Sequence, residues 1–405
     1  EVTPGNIKIK NLSILNIDFS YEIYFWLEFK KAEQKLSIRN LFTTELLVSG
    51  KRLKTESYAK ILSALKSKEK IKIELPRKAK LLRNIALSSY SKNKFKSCWL
   101  FVDNDLRADD NAEHFYRYVK NNQKNTNAFF LLNKNSPDWK RLKDDGFKLI
   151  EFGSLKHRLA LLNAKFLLSS HANPAIVNYL PRKHYSDIMK YKFVFLQHGV
   201  TKDDQSEWLN SRKIDYLVTA GTPEFNDISG NGRYRYTSKE TILTGFPRYD
   251  NLQRTGTHSQ ILIMPTWRKS LAGELMKKSS KRIKNSEFIN SQFCKEWGSF
   301  LQSEKLKNLV ELQNFNILFL PHPNLSDYLD ELAIPDYIEI GSLEKCSIQQ
   351  VFKDSDLLIT DYSSVAFDVA YMRKPVIYYQ FDSDTFFSEH SYSKGYYDYE
   401  KNGFG

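Results

Sequence analysis

The sequence predicts an α/β protein with two facing Rossmann-like domains, preceded by a small β-rich module. From Cys98 onward, short apolar runs alternate with helix-compatible segments, and a second series of this kind starts near residue 258. Such alternation is typical of parallel sheets covered by helices. Before residue 79 the pattern differs, because apolar and polar residues alternate as they do in half-buried strands. A length of 405 residues suits two or three domains.

We therefore expect four segments. Residues 1–78 form the β-rich module, with strands predicted in IKIKNLSILNI, YEIYFWLEF and KIKIEL. Residues 79–97 form a basic linker with an amphipathic helix. Residues 98–245 and 246–405 form the two Rossmann-like domains, joined near the stretch GFPRYD.

The predicted strands of the two domains are short apolar runs that end in polar or turn-forming residues. In the first domain they are CWLFVD, NAFFLLN, FKLIEF, KFLLSS, KFVFLQHG, IDYLVTA and TILTGFP. In the second domain they are ILIMPTWR, FNILFLPHPN, YIEIG, LLITDYSS and PVIYYQFD. Ligands of open parallel sheets bind beyond the carboxyl ends of the strands. The informative side chains should therefore follow the apolar runs directly.

The charge of the chain is concentrated in one segment. The net charge is +14, and residues 51–98 contain 15 Lys and Arg against three Asp and Glu. This favours an anionic partner such as lipid headgroups, a polyphosphate or nucleic acid, although a solvated linker would have the same composition. The helix predicted at 78–92 fits a membrane face or packing on the next domain equally well.

Other features of the whole sequence narrow the class of protein and its cellular compartment. The three cysteines are far apart and lack CxxC spacing, which argues against a disulfide framework or a zinc site and for a reducing compartment. No apolar run reaches the length needed to cross a bilayer, and no signal-peptide pattern is present. The first residue is Glu1 and the last is Gly405, so we expect a longer natural protein.

Two of the eight histidines, His198 and His322, follow predicted strands in rigid Gly or Pro contexts. A single histidine at such a position is more often structural. Two of them, accompanied by Arg268 and a Ser-Ser helix start, favour a catalytic site. Ser363 and Ser364 precede the helix VAFDVAYM, whose free N–H groups suit a phosphate.

Two further observations concern the kind of ligand that this predicted phosphate site would bind. Asp368 lies one turn into that helix, where it could accept hydrogen bonds from a ribose. The chain lacks GxGxxG and GxxxxGK[ST] patterns, so a nicotinamide, flavin or P-loop ATP site is not supported.

Together, the stretches DNDLRADDNAEHFYRY, LNKNSPDW, QHGVTKDD, GFPRYD, MPTWR, PHPN, TDYSSVAFDVAY and KPVIYY resemble the CDP-glycerol glycerophosphotransferase family, which builds teichoic acids and related capsule polymers. The resemblance covers residues 98–405. It implies a GT-B fold with an acceptor-side domain at 98–245 and a CDP-polyol donor domain at 246–405. It implies transfer of glycerol or ribitol phosphate from a CDP-activated donor to a hydroxyl of a growing polymer, with release of CMP and no cofactor.

The resemblance also implies roles for single residues. His198 matches the family's general base, and His322 matches a ligand of the donor pyrophosphate. The remaining donor-binding residues that it implies are Gly199, Arg248, Thr266, Trp267, Arg268, Pro323, Asn324, Ser363, Ser364 and Asp368. Some members have HGTP where this chain has HGVTKDD, so the acceptor contacts of Thr201, Lys202 and Asp203 are less defined. Asp109 and Asn111 are further acceptor-side candidates.

Several alternatives stay open. A glycosyltransferase of the same fold would use a nucleotide sugar at the same pyrophosphate site. A nucleic-acid-binding role is disfavoured, because the excess charge lies outside the motifs. The acidic run Asp103, Asp105, Asp109 and Asp110 lacks EF-hand spacing, so no metal is predicted. The expected partners are the CDP-polyol, a polymeric or lipid-linked acceptor and the inner face of the bacterial plasma membrane, with a cytoplasmic location.

Overall fold

The computed structural model describes residues 46–48, 51–53, 75–256, 258–268, 270–271, 284–342, 346–389, 393–401 and 403–405. In the predicted β-rich module it describes one antiparallel hairpin, β1 (Leu46–Val48) and β2 (Lys51–Leu53). The three strands predicted in that module, apart from the end of KIKIEL, lie outside the described residues. The division into domains at residues 78, 97 and 245 stays a prediction.

The chain separates into two compact units, residues 1–88 with 180–189, and residues 89–179 with 190–405. The first unit contains α1 (Arg77–Leu87) and α7 (Arg182–Tyr185). The predicted amphipathic helix is thus present, with Ala79, Leu82 and Ala86 buried. Arg83 holds Asp187 through two hydrogen bonds of 2.7 and 2.5 Å. The described part of the chain contains no helix whose length and apolar character would let it span a bilayer.

The second unit contains a seven-stranded parallel sheet with the order β5-β4-β3-β6-β7-β8-β9. Its strands are β3 (Cys98–Val102), β4 (Ala128–Leu132), β5 (Leu149–Glu151), β6 (Ala164–Ser169), β7 (Lys192–Phe195), β8 (Tyr216–Thr219) and β9 (Thr241–Leu243). The helices are α2 (Ser89–Phe95), α3 (Asn111–Asn122), α4 (Asp138–Asp144), α5 (Leu155–Asn163), α6 (Pro174–Val177), α8 (Ser206–Asn210) and α9 (Thr222–Ser229). All seven predicted strands are present.

The same unit contains a five-stranded parallel sheet with the order β12-β11-β10-β13-β14. Its strands are β10 (Gln260–Met264), β11 (Asn316–Phe319), β12 (Ile338–Ile340), β13 (Leu357–Thr360) and β14 (Val376–Tyr378). The helices are α10 (Gln292–Leu301), α11 (Glu304–Glu311), α12 (Ile348–Asp354), α13 (Val365–Tyr371) and α14 (Phe386–Glu389), with 3₁₀ segments at Pro247–Asn251, Ser286–Asn290, Pro323–Tyr328 and Asp330–Leu332.

One apolar core continues between the two sheets. Phe101 and Leu168 of the first sheet belong to the same buried cluster as Leu262 and Leu358 of the second. In the connecting 3₁₀ segment, Tyr249 stacks on Tyr371 of α13 with ring centres 4.4 Å apart. In each sheet the strand order reverses once, between β3 and β6 and between β10 and β13. The predicted fold class, α/β with two Rossmann-like sheets in a GT-B-like arrangement, is confirmed.

Candidate functional site

A cavity of about 620 Å³ lies at the carboxyl ends of the strands that flank both reversal points. Asp103 follows β3, His171 follows β6, Thr266 follows β10 and Ser363 follows β13, and all four side chains line the cavity. Such reversal points are where open α/β sheets bind ligands, because the loops diverge there and leave a crevice. The topology alone therefore places the candidate site here.

His198 and Asp110 form a hydrogen-bonded pair in this cavity. His198 Nδ1 lies 2.5 Å from Asp110 Oδ2, and 70% of the histidine side chain is exposed. Burial would raise the pKa of Asp110, but the charges of His198 and Arg248 and the hydrogen bond from His198 lower it to about 2. An ionised carboxylate only accepts, so Nδ1 carries a proton, and in the neutral ring Nε2 keeps its lone pair. The charge of Asp110 raises the pKa of His198.

The start of α3 places Asp110. Asp103, at the end of β3, accepts hydrogen bonds from the backbone N–H groups of Asp110, Ala112 and Glu113 and from the Ser170 hydroxyl, at 2.5 to 3.1 Å. This carboxyl group occupies the N-terminus of α3, and burial together with the charge of Asp110 raises its pKa. Asp110 is the N-cap residue and accepts from the Asn111 N–H at 2.8 Å. Residues that follow β3 and β6, together with the start of α3, therefore fix Asp110 in the position where it contacts His198.

Arg248 connects the His198–Asp110 pair to the second, five-stranded sheet. Its guanidinium donates to Asp110 Oδ1 at 3.0 Å and to both oxygens of Asp368 at 2.6 and 3.0 Å. These carboxylates raise the pKa of Arg248 although burial opposes them. Asp368 is 2% exposed, and both of its carboxylate oxygens accept hydrogen bonds from Arg248. In this structure the side chain positions Arg248, and the ribose contact predicted for Asp368, which lines the cavity, stays a prediction.

His322 follows β11 and has a different environment. Its Nδ1 accepts the Asn324 N–H at 3.1 Å, so the ring proton is on Nε2, and the ring stacks on Trp267 with centres 5.8 Å apart. Burial, with a contribution from the charge of His198, lowers the pKa of His322 to about 4. His322 is therefore a neutral hydrogen-bond donor in the neutral pH range.

The two sheets approach each other closely at Gly199 and Ser364. A Cβ atom on Gly199 would lie 2.5 Å from the Ser364 hydroxyl oxygen, so a larger residue here would make the Ser364 hydroxyl turn away. Ser364 is the N-cap residue of α13 but makes no capping hydrogen bond with its side chain, and the Ser363 hydroxyl accepts instead from the Val365 N–H at 3.4 Å. Both serines line the cavity.

Most of the residues predicted from the sequence line this one cavity. They are the catalytic candidates His198 and His322, the donor-binding candidates Gly199, Arg248, Thr266, Trp267, Pro323, Ser363, Ser364 and Asp368, and the acceptor-side candidates Asp109, Thr201, Lys202 and Asp203. The structure brings them together, but their individual roles stay predictions.

Three predicted residues do not line the cavity. Arg268 is 2% exposed and forms ion pairs with Asp361 at 2.9 Å and Asp382 at 2.8 Å, which tie the ends of β10 and β13 together. Asn111 is fully buried, and its amide donates to the carbonyl of Gln197 at 2.8 Å. Asn324 contributes its backbone N–H to His322. The contacts seen for these three residues are contacts within the protein, and the substrate contacts predicted for them stay predictions.

The acceptor candidates differ in accessibility. Lys202 and Asp203 form a buried ion pair, and burial moves both groups toward their neutral forms by lowering the pKa of Lys202 and raising that of Asp203. Thr201 is buried and donates from its hydroxyl to Gln197 Oε1 at 2.5 Å. Asp109 accepts from the Gln349 amide with its backbone oxygen at 2.8 Å.

Sequence reasoning missed a set of supporting residues. Gln197, which precedes His198, adopts a left-handed conformation with φ of +60°. The buried carboxylate of Glu224 accepts from the Gln197 amide at 3.0 Å and from the Thr201 N–H at 2.7 Å. Burial raises the pKa of Glu224 to about 7. The position of Glu224 three residues after Gly221, just beyond the end of β8, was the available signal.

His171 was also missed. Its ring stacks on His198 with centres 4.7 Å apart, and burial together with the charge of His198 lowers its pKa to about 4. The signal was its place directly after the run KFLLSS. Among the described residues, Asp110, His171 and His198 also form a group whose ligand atoms all lie within 4.8 Å of one another. Zinc accepts both imidazole and carboxylate ligands. That the reaction uses no metal therefore stays a prediction.

Comparison with known proteins adds independent information. Residues 85–405 match the family model described as CDP-Glycerol:Poly(glycerophosphate) glycerophosphotransferase. The chain is 38% identical over 316 residues to the minor teichoic acid biosynthesis protein GgaB of Bacillus subtilis (strain 168), covering 76% of this chain and 34% of GgaB.

A second relative is the teichoic acid glycerol-phosphate transferase of Staphylococcus aureus (strain NCTC 8325 / PS 47), with 28% identity over 215 residues and 47% of each protein covered. The chain thus spans about a third to a half of the length of these relatives. Among solved structures, the wall teichoic acid polymerase TagF matches with a TM-score of 0.52 and 18% identity, covering 86% of this chain and 84% of that one. At this identity the likeness shows the fold.

Proposed function

Because the chain belongs to the CDP-Glycerol:Poly(glycerophosphate) glycerophosphotransferase family, we propose that it transfers glycerol or ribitol phosphate from a CDP-polyol to a hydroxyl of a growing teichoic-acid-like or capsule polymer. The observation that carries this proposal is the His198–Asp110 pair, in which Nδ1 faces the carboxylate, so that the neutral ring has an unprotonated Nε2 in a cavity shared with His322. A base and a phosphate ligand on opposite sheets suit a reaction between two bound substrates.

In the proposed reaction, His198 Nε2 accepts the proton of the acceptor hydroxyl as its oxygen attacks the phosphorus that carries the donor's polyol. A new oxygen–phosphorus bond forms, the bond from this phosphorus to the bridging oxygen breaks, and CMP leaves with the electron pair. Asp110 keeps the proton on Nδ1 and stabilises the imidazolium that forms, as a carboxylate does beside a catalytic histidine.

The other sheet contributes the groups for the diphosphate. His322 Nε2–H is a neutral donor, and the Ser363 and Ser364 hydroxyls line the same cavity. Hydrogen bonds aimed at oxygens that gain charge stabilise the transition state more than the ground state. Arg248 pairs with Asp110 and Asp368, so these carboxylates offset its charge, and its contribution is to hold Asp110 in place.

The proposal extends to the surroundings of the enzyme. Helix α1 exposes Leu81 and Leu87 together with Arg77, Lys78 and Lys80, which supports contact with an anionic membrane face. A polymeric or lipid-linked acceptor at the inner face of the bacterial plasma membrane fits this surface. Cosedimentation with anionic liposomes tests the contact, and equal retention by neutral liposomes contradicts it.

The decisive experiment is an assay of CMP release. The chain is incubated with CDP-glycerol or CDP-ribitol and a polyol-phosphate oligomer, with a nucleotide sugar as the comparison donor. We expect CMP only from the CDP-polyols and an acceptor extended by one polyol phosphate. Turnover of the nucleotide sugar alone would instead support the glycosyltransferase alternative, and release of no CMP would refute the proposal.

A further inference from the structure

Asp110, His171 and His198 bring three side chains of metal-binding type together in the cavity. Their ligand atoms, a carboxylate oxygen and one nitrogen of each ring, all lie within 4.8 Å of one another, and all three residues line the cavity. Two imidazoles and a carboxylate form a ligand set that zinc uses, with a fourth position left for water. The group is therefore chemically suited to a divalent transition-metal ion, and the proposed transfer reaction does not use His171.

His171 has ring nitrogens that no other group of the described residues occupies. Its backbone N–H donates to Ser169 Oγ at 3.0 Å, but within the described part of the chain neither ring nitrogen makes a hydrogen bond. The ring contacts His198 through its flat face, with centres 4.7 Å apart. In His322, by contrast, the Asn324 N–H already occupies Nδ1. A lone pair of the neutral His171 ring is thus available to a ligand in the cavity.

The charges around this group favour a cation. Asp110 and Asp368 carry two negative charges, and Arg248, which pairs with both, carries one positive charge. These three residues together leave one net negative charge beside the two imidazoles, which attracts a positive ion. Arg248 donates to Oδ1 of Asp110, whereas Oδ2 faces His198. Oδ2 is therefore the carboxylate oxygen that a metal ion beside His198 would bind.

A metal ion at this position competes with the proton between Asp110 and His198. Nδ1 of His198 lies 2.5 Å from Asp110 Oδ2, a separation that accommodates a proton but no metal ion. Zinc bonds of about 2.0–2.1 Å in a tetrahedral site place the ligand atoms roughly 3.4 Å apart. The His198 ring has room to turn away from Asp110 and toward His171, because 70% of its side chain is exposed.

We propose that Asp110, His171 and His198 bind a divalent transition-metal ion such as Zn²⁺, and that the bound ion blocks His198 as a base. An ion at Nδ1 displaces the proton of that nitrogen to solvent, and the neutral ring then carries its proton on Nε2. An ion at Nε2 occupies the lone pair directly. In both cases Nε2 has no lone pair for the proton of the acceptor hydroxyl. The block rests on the proposed transfer reaction, whereas the metal site does not.

The site is tested by binding, without turnover. Zn²⁺ is titrated calorimetrically into the untagged chain after treatment with a chelator, and Co²⁺ serves as a second probe, because its visible absorption depends on its ligands and geometry. In His171→Ala, the affinity for Zn²⁺ should fall at least about tenfold, and the spectrum of bound Co²⁺ should change. His171→Phe keeps a ring against His198 but has no ring nitrogen, so it should lose the same affinity.

His258→Ala is the matched control for metal binding at other histidines. His258 is exposed, its ring bonds to Thr255, and it does not line the cavity. Its removal should leave the affinity for Zn²⁺ unchanged. Absence of Zn²⁺ binding by the unmodified protein, or equal affinity in the two His171 variants, would overturn the site.

The block of the base is measured by CMP release. Saturating Zn²⁺ should slow the unmodified protein by at least about tenfold, as expected for loss of a general base, and a chelator should restore the rate. In the His171 variants, each compared with its own metal-free rate, the same Zn²⁺ concentration should have little effect. Capture of Zn²⁺ by the CDP-polyol would slow all variants equally. Full activity with Zn²⁺ bound would overturn the block, and if no protein releases CMP, the titration still decides whether the site exists.

Discussion

The two walls of the cavity each present a histidine at the end of a parallel strand, but the two rings have opposite environments. On the seven-stranded sheet, the carboxylate of Asp110 raises the pKa of His198. On the five-stranded sheet, burial lowers the pKa of His322 to about 4, and a backbone N–H fills its Nδ1. The first ring is suited to take up a proton, and the second only to donate a hydrogen bond.

This difference follows from what surrounds each ring rather than from the strands themselves. The loop after β3 carries Asp110 toward His198, while the loop after β10 carries Trp267 against His322. A carboxylate favours the charged form of an imidazole, and an apolar indole with little solvent favours the neutral form. Two histidines with equal sequence signals therefore have pKa values that their surroundings move in opposite directions.

The largest effect should come from His198→Ala. Loss of a general base typically costs a factor of about 10² to 10⁴ in rate, so kcat should fall by this amount. Donor affinity, measured by titration with the CDP-polyol, should change little, because the base contacts the acceptor. His258→Ala, at an exposed histidine whose ring bonds to Thr255, is the control. A loss of donor affinity as large as the loss of rate would argue against a base.

Asp110→Asn should have the next largest effect, because it removes the carboxylate that orients His198 and stabilises its imidazolium. The rate falls, by no more than in His198→Ala. Activity requires neutral His198, so kcat/KM rises with pH through the pKa of this residue. Without the charge of Asp110 that pKa decreases, and the acidic limb of the pH profile moves to lower pH. If the acidic limb keeps its position, whatever the size of the loss in rate, Asp110 does not set the pKa of His198.

Much of the fold could be predicted because parallel strands buried on both faces read as short apolar runs. The predicted runs from CWLFVD to PVIYYQFD all contain the strands of the two sheets. The residues after these runs were also found, since the carboxyl ends of strands meet at one edge. His198 and His322 line the same cavity for this reason.

The partners of these residues could not be predicted, because they come from distant parts of the chain. Arg248 and Arg268 have similar sequence contexts, yet Arg248 lines the cavity and Arg268 does not. Asp368, 120 residues beyond Arg248, holds the first, whereas Asp361 and Asp382 hold the second. Asp110 lies 88 residues before His198. No local pattern reports such pairings, so the choice between a substrate contact and a buried ion pair needed the structure.

The smallest effect should come from His322→Ala. One hydrogen bond to a charged phosphate is lost, and we expect kcat/KM to fall roughly tenfold to a hundredfold, with donor affinity and kcat both reduced. His322→Gln should restore part of the activity, because its amide is also a neutral donor. Since the pKa of His322 is about 4, the ring is neutral across the neutral range, and the acidic limb should stay where the unmodified enzyme has it. If the acidic limb of the pH profile moves in His322→Ala but not in Asp110→Asn, the roles proposed for His198 and His322 would have to be exchanged.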